Sequence, residues 1–220
     1  MSAALTLVIG SKNYSSWSLR AWLLLRQFGV PFTEIKLPLD TPEFYARIGQ
    51  YTPAGRVPVL HDGDIRVWDS LAIAEYVNER FLDGRGWPAA RAARAEARSI
   101  SAEMHAGFVA LREALPLNCR RRAPHAPLAD AATRDVARVR TIWREARRRF
   151  GEGGPFLFGG FGIADAMYAP VVLRFASYDV AVGEGERAYM DAILALAPLR
   201  EWLAEAATEP VAALHEPATP

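Results

Sequence analysis

The stretch NYSSWSLRAWLLL, residues 13–25, places two bare hydroxyls, Ser15 and Ser16, at the mouth of an apolar run with helical spacing. Serine there is a good helix N-cap, worth ~1 kcal/mol. The same helix end also favours anions, because its first N–H groups have no partner within the helix. A thiol with a pKa of about 8.5 is only slightly ionised at neutral pH, and lowering that pKa by about two units takes ~2.7 kcal/mol. A hydroxyl hydrogen bond to the charged form supplies ~1.5–3 kcal/mol and the helix end ~0.3–1 kcal/mol. A serine in this place therefore need not be a nucleophile to do chemistry. Donating one hydrogen bond to a thiolate is enough. Arg20 follows one turn later, as a structural ion-pair partner or as part of the site's electrostatics. Farther on, Asp69-Ser70 precedes LAIAEYV, where the pair can cap a helix.

These groups need elements to hold them. LTLVI (5–9) reads as a strand and SWSLRAWLLLRQFG (16–29) as a helix stopped by Gly29 and Pro31. FTEIKLPL (32–39) alternates like a second strand, and Thr41-Pro42 opens a helix over 41–48. VPVLHDGDIRVWD (57–69) reads as a hairpin turned at Asp62-Gly63, followed by a helix over 70–81. The order β-α-β-α-β-β-α defines an α/β unit over residues 1–82. A Gly/Pro-rich linker spans 83–90, and residues 91–220 carry helical patterns with almost no strand signal. Helices are expected at 91–115, 129–150, 162–178, 186–196 and 198–207, with a kink at Pro170. The tail 209–220 is proline-rich and is expected to drape over the surface.

Composition narrows the function. The 220 residues carry a formal net charge of +1, which gives no global field for drawing in nucleic acid or an anionic membrane. The basic runs at 119–124 and 144–150 lack interleaved aromatics for base stacking and read as solvated helix faces. Apolar stretches fall short of the ~18 residues of a membrane span. The N-terminus has no basic segment before its apolar residues, so it reads as a strand of the mature protein. One cysteine, Cys119, excludes an internal disulfide and suits a reducing cytoplasm. The four histidines are scattered, without metal-ligand spacing, so no metal is expected.

Taken together, the text resembles the glutathione S-transferases over nearly its whole length. SSWSLRAWLLL (15–25) is similar to the zeta-class motif Ser-Ser-Cys-x-x-Arg. TPAGRVPVL (52–60) carries the Val-Pro pair, and WDSLAIAEYV (68–77) the acidic residue, serine and helix, in the family's order and spacing. The resemblance implies a thioredoxin-like domain followed by an all-helical domain, with glutathione as cosubstrate. It implies a cytoplasmic, detoxifying homodimer that takes a small electrophile. It also implies thiolate stabilisation by Ser15, with Ser16 in reserve and Arg20 nearby. Glutathione would be held by a cis Val57-Pro58, whose Val57 backbone pairs with the cysteinyl unit like an added strand. Asp69 would take the γ-glutamyl ammonium and Ser70 its carboxylate. Arg56 would take the glycyl carboxylate, with Lys12 and Lys36 as alternatives. The electrophile pocket would lie between the domains, at Tyr14, Trp17, Met104, Phe108 and Asn118. GIADAMYAP (162–170) resembles the family's buried capping motif, with Gly162 in place of its hydroxyl residue and Asp165 retained.

Some positions depart from the zeta pattern. Trp17 stands where the zeta cysteine would be, which disfavours thiol–disulfide chemistry and weakens maleylacetoacetate isomerisation. Ser177 stands where zeta isomerases carry a substrate arginine, with Arg174 one turn earlier. Two alternatives to transfer stay open: glutathione-dependent cis–trans isomerisation, and a glutathione-binding scaffold without turnover.

Overall fold

The structure is a computed structural model and describes residues 5–210. The expected tail therefore lies almost wholly outside the described residues, as do the first four. Strand β1 (Thr6–Ile9) leads through a short loop into α1 (Ser16–Gln27), then β2 (Thr33–Lys36) and α2 (Pro42–Ile48). The hairpin β3 (Val59–Asp62) and β4 (Ile65–Trp68) follows, and then α3 (Ser70–Phe81). The sheet order is β2-β1-β3-β4. β1 runs parallel to β2, with Thr6 opposite Thr33, and antiparallel to β3, with Leu7 opposite Leu60. This is the thioredoxin-like arrangement that the element order implies.

Alternation along β1 sorts the two faces of the sheet. Leu7 and Ile9 join the large core with Leu19, Trp22 and Leu23 of α1 and Ile73 and Val77 of α3. Val8 points the other way, into a small core with Val59 of β3 and Phe44 and Ile48 of α2. Local signals set the helix ends. Thr41 accepts the Phe44 N–H at 3.1 Å with Pro42 in the first turn, and Gly29 follows α1 with φ +67°.

The second half is helical: α4 (Arg91–Ala106), α5 (Val109–Ala114), α6 (Asp130–Phe150), α7 (Ile163–Ser177), α8 (Glu184–Leu194) and α9 (Ala197–Thr208). The expected single helix over 91–115 is broken. Gly107 is extended and the buried Phe108 takes a left-handed φ of +58°. The apolar positions Met104, Phe108, Leu111 and Leu115 keep helical spacing across the break, so periodicity hides it. Asp135 of α6 accepts the Leu111 N–H at 3.0 Å and restarts the helix. At Pro170, α7 stays helical throughout its span.

Helix α7 is the axle of the molecule, buried along almost all of its length and packed on both α1 and α4. Its start is fixed by the expected buried cap. Asp165 accepts the Gly162 N–H at 2.9 Å and the Leu157 N–H at 3.1 Å. Burial pushes this carboxyl up to about 7. Removing it leaves two enclosed backbone donors unpaired. We expect Asp165→Ala to cost about 2–6 kcal/mol, at ~1–3 kcal/mol per orphaned donor, read as a lower denaturation midpoint.

Candidate functional site

Ser15 caps α1. Its Oγ accepts the Ser18 N–H at 3.3 Å and its hydroxyl donates to Ser18 Oγ at 2.8 Å. Ser18 Oγ also accepts the Gly10 N–H at 3.0 Å, which ties the end of β1 to the first turn of α1. Ser16 Oγ accepts from the Arg174 guanidinium at 3.4 Å. The first turn of α1 contains no acidic residue, so nothing within it offsets the positive helix end.

Two adjoining recesses open over this turn, of about 520 and 440 Å³. Both are lined by Trp17, Arg56 and Val57. The larger adds Pro58, Trp68, Asp69, Ser70 and His105, and the smaller adds Tyr14, Ser15, Ser16, Asp40 and Tyr45. The cleft therefore brings together every expected glutathione-side residue. Val57-Pro58 is cis, as the resemblance implies. Among the described residues, neither the N–H nor the C=O of Val57 is hydrogen-bonded.

At the far end, Asp69 caps α3 from a backbone with φ +77°, uncommon for a non-glycine residue. One of its oxygens accepts the Leu71 and Ala72 N–H groups at 2.9 and 3.3 Å. The other lies 3.0 Å from Nε2 of His105, on α4. Ser70 is 1% exposed, and among the described residues its Oγ has no partner. A buried hydroxyl left unpaired at the wall of a cleft is what a ligand acceptor would satisfy.

Other expected residues sit elsewhere. Arg20 lies behind the cleft, 2% exposed, with its guanidinium 4.2 Å from the centre of the Trp17 ring. No carboxylate forms an ion pair with it among the described residues. Its Nε donates to Met167 O at 3.2 Å and Nη1 has no partner. Burial, then Arg174 and Arg112, lower it to about 9. Arg174 is lowered to about 10, by burial and then by Arg112. It donates to Arg112 O and Leu115 O at the end of α5. Met104 and Phe108 are packed in the main core. Asn118 is buried and accepts from Asn13 Nδ2 at 3.2 Å. These three do not line either recess.

The alternative cations for a glycyl carboxylate are committed to other partners. Lys12 is 1% exposed and pairs with Glu34 at 2.9 Å and Glu205 at 2.7 Å, between the rings of Trp22 and Trp202. Lys36 pairs with Glu209 at 2.9 Å. Glu209 also accepts the Lys12 and Asn13 N–H groups at 2.9 and 3.0 Å, just ahead of Ser15. Trp202 Nε1 donates to Lys12 O at 2.9 Å. Among the described residues, Arg56 is the arginine or lysine that lines the cleft. Tyr14 OH accepts from Arg120 at 2.8 Å. Cys119 is buried, and burial pushes its thiol up to about 12, so it stays a thiol. Sequence reading passed over Ser18, His105, Arg112 and Glu209. Ser18 alone carried a local signal, as the hydroxyl three residues beyond the cap.

Sequence comparison bears on what this cleft belongs to. Residues 14–80 match the Glutathione S-transferase N-terminal domain, and residues 129–205 the Glutathione S-transferase C-terminal domain. Together they account for well over half of the chain. The chain belongs to the glutathione S-transferase family. A dichloromethane dehalogenase of Methylorubrum extorquens is 45% identical over 62 residues, 27% of this chain and 21% of that protein. Another, of Methylophilus leisingeri, is 42% identical over 48 residues, 22% of this chain and 17% of that protein. The match thus spans about a fifth of those relatives. Among solved structures, a glutathione transferase homologue from Burkholderia strain BGR1, with bound glutathione, has a TM-score of 0.71 at 22% identity. The alignment covers 94% of this chain and all of that one. A diazinon-metabolizing glutathione S-transferase of the silkworm Bombyx mori has a TM-score of 0.72 at 17% identity, covering 93% and 97%. These structures share the fold.

The loop that presents Ser15 hangs on Lys12. Replacing one partner of a buried charge cluster leaves the others uncompensated. We expect Lys12→Met to lower stability by about 3–5 kcal/mol in chemical denaturation.

Proposed function

We propose that this chain is a glutathione transferase whose Ser15 hydroxyl stabilises the bound glutathione thiolate for attack on a small electrophile. The observation that carries this reading is the unpaired backbone of Val57, set between the Ser15 end of the cleft and the unpaired Ser70 hydroxyl. A peptide lying there would pair its cysteinyl backbone with Val57. Its γ-glutamyl carboxylate would reach Ser70, its ammonium Asp69, and its glycyl carboxylate Arg56. That direction puts the cysteinyl sulfur at the mouth of α1. Ser16 is the reserve donor. Arg20 and Arg174 act from behind, as a positive field that favours the thiolate.

Attack forms a carbon–sulfur bond and either expels a leaving group or opens a double bond. The partial likeness to dichloromethane dehalogenases supports displacement of a halide as one such reaction. The electrophile would enter beside Trp17 and Trp68, between a glutathione domain (1–82) and a helical domain (91–220) joined by 83–90. Exposed Ile65 and Trp68 on β4 support a homodimer. A cytoplasmic site of action suits the single buried cysteine.

The test is ultraviolet difference titration of bound glutathione, which reads thiolate directly. Wild type should show a thiol pKa about two units below 8.5, and Ser15→Ala should return it toward that value. Glutathione bound with an ordinary pKa in both proteins would mark a binding scaffold. Turnover of maleylacetoacetate without net consumption of glutathione would mark the isomerase. Ser70→Ala should weaken glutathione binding by about tenfold or more, with the bound thiol pKa unchanged, because a hydrogen bond to a carboxylate is worth ~1.5–3 kcal/mol.

A further inference from the structure

We infer that Ser18, a residue with no exposed surface, is a positioning residue that sets the direction of the Ser15 hydroxyl hydrogen. The inference rests on the proposed role of Ser15 and adds a second hydroxyl to it. The two oxygens are 2.8 Å apart, and a gap of that size holds one hydrogen. Each hydroxyl has one hydrogen to give and two lone pairs to accept with. Ser18 Oγ takes the Gly10 N–H at 3.0 Å, and Ser15 Oγ takes the Ser18 N–H at 3.3 Å. In one arrangement the shared hydrogen comes from Ser15, whose hydrogen is then not available to a sulfur.

The pair has a second arrangement at the same oxygen positions. Both hydroxyls rotate, Ser18 donates to Ser15, and the Ser15 hydrogen turns into the cleft that Ser15 lines. No covalent bond breaks and no heavy atom moves. A thiolate arriving over Ser15 selects this arrangement, because only it offers a donor. Ser15 then accepts two hydrogen bonds, from the Ser18 N–H and the Ser18 hydroxyl, while donating one. Donating chains of this kind strengthen the terminal donor. The Gly10 N–H keeps Ser18 Oγ in place through the change, so the end of β1 and the first turn of α1 act as one frame. Ser16 has no such switch: its oxygen accepts from the Arg174 guanidinium, which has no lone pair to draw the Ser16 hydrogen back.

The experiment uses the full chain with glutathione and with S-methylglutathione, which lacks the thiol. Ser18→Ala should raise the bound thiol pKa by about one unit, a tenfold loss of thiolate at a pH below both values. S-methylglutathione should bind it as tightly as wild type. Ser18→Thr should keep the wild-type pKa, and Ser18→Ala should add nothing to the shift of Ser15→Ala in the double variant. Where Ser18→Ala does not fold, Ser18→Cys, close in size and a weak donor, carries the same expectation. A folded Ser18→Ala or Ser18→Cys with the wild-type thiol pKa would overturn the relay. With Ser15→Ala still raising the pKa, the proposed function would stand without it. A Ser15→Ala that itself leaves a lowered pKa unchanged would remove both.

Discussion

The Lys12 ammonium is the constraint on which the rest of the site depends. A fully enclosed cation is costly unless its charge and its donors are met. Here they are met by Glu34 from β2, Glu205 from α9 and the faces of Trp22 and Trp202. Those partners come from both halves of the chain, so satisfying one charge fixes how the helices sit against the sheet. The backbone around Lys12 is used as fully as its side chain. Its N–H goes to Glu209, and its C=O takes the Trp202 indole and the Cys119 thiol. The loop from β1 to α1 is therefore held from both sides before Ser15 emerges from it. The proposed contact of its hydroxyl with a sulfur would need that kind of support.

The electrostatics of the cleft are divided along its length. At the α1 end, Arg20, Arg112 and Arg174 gather behind Trp17 and Ser16, and Arg20 and Arg174 are lowered by burial and by their cationic neighbours. Such a cluster is tolerable only because backbone carbonyls and the Trp17 ring share its charge. At the α3 end, Asp69 faces outward beside His105 and a helix start. In the proposed reading, glutathione would lay its γ-glutamyl zwitterion at the α3 end and its central cysteinyl thiol at the α1 end. The match depends on placement and not on net charge, which is near zero.

Local rules made the fold legible, and the same rules show where legibility stops. The order β-α-β-α-β-β-α, the caps at Ser15, Thr41 and Asp69, and the buried Asp165 cap could all be read because each rests on residues within a few positions of one another. The break at Gly107-Phe108 could not, because apolar spacing continues through it and the restart is fixed by Asp135, more than twenty residues on. Ser15, Asp69 and Ser70 stood out because a helix cap and an anion site use the same groups, and Val57 because the Val-Pro pair carries the family resemblance. Lys12 looked like a free surface cation because its partners lie 22 and 193 residues away in the chain. Met104, Phe108 and Asn118 were placed in the pocket by their neighbourhood in the sequence. Tertiary packing turned them inward instead, Met104 on α4, Phe108 at the break before α5 and Asn118 in the loop after it.

Energetics decide why two serines and a distant arginine cluster would share one task. A helix end alone supplies ~0.3–1 kcal/mol, short of the ~2.7 kcal/mol needed to lower a thiol pKa by two units. Guanidinium groups in direct contact with sulfur would supply more, but they would hold the thiolate as an ion pair and blunt it as a nucleophile. Set behind Trp17, in the proposed mechanism they would act through distance and a polarisable ring, favouring the charge without capturing it. The remaining deficit falls within what one hydroxyl donor gives to a charged acceptor, ~1.5–3 kcal/mol. That value is reached only if the hydroxyl is free to donate when the sulfur arrives. In the proposed relay the Ser15–Ser18 pair would meet that condition, with Ser15 Oγ capping α1 in both arrangements of its hydrogen and serving the ligand in one.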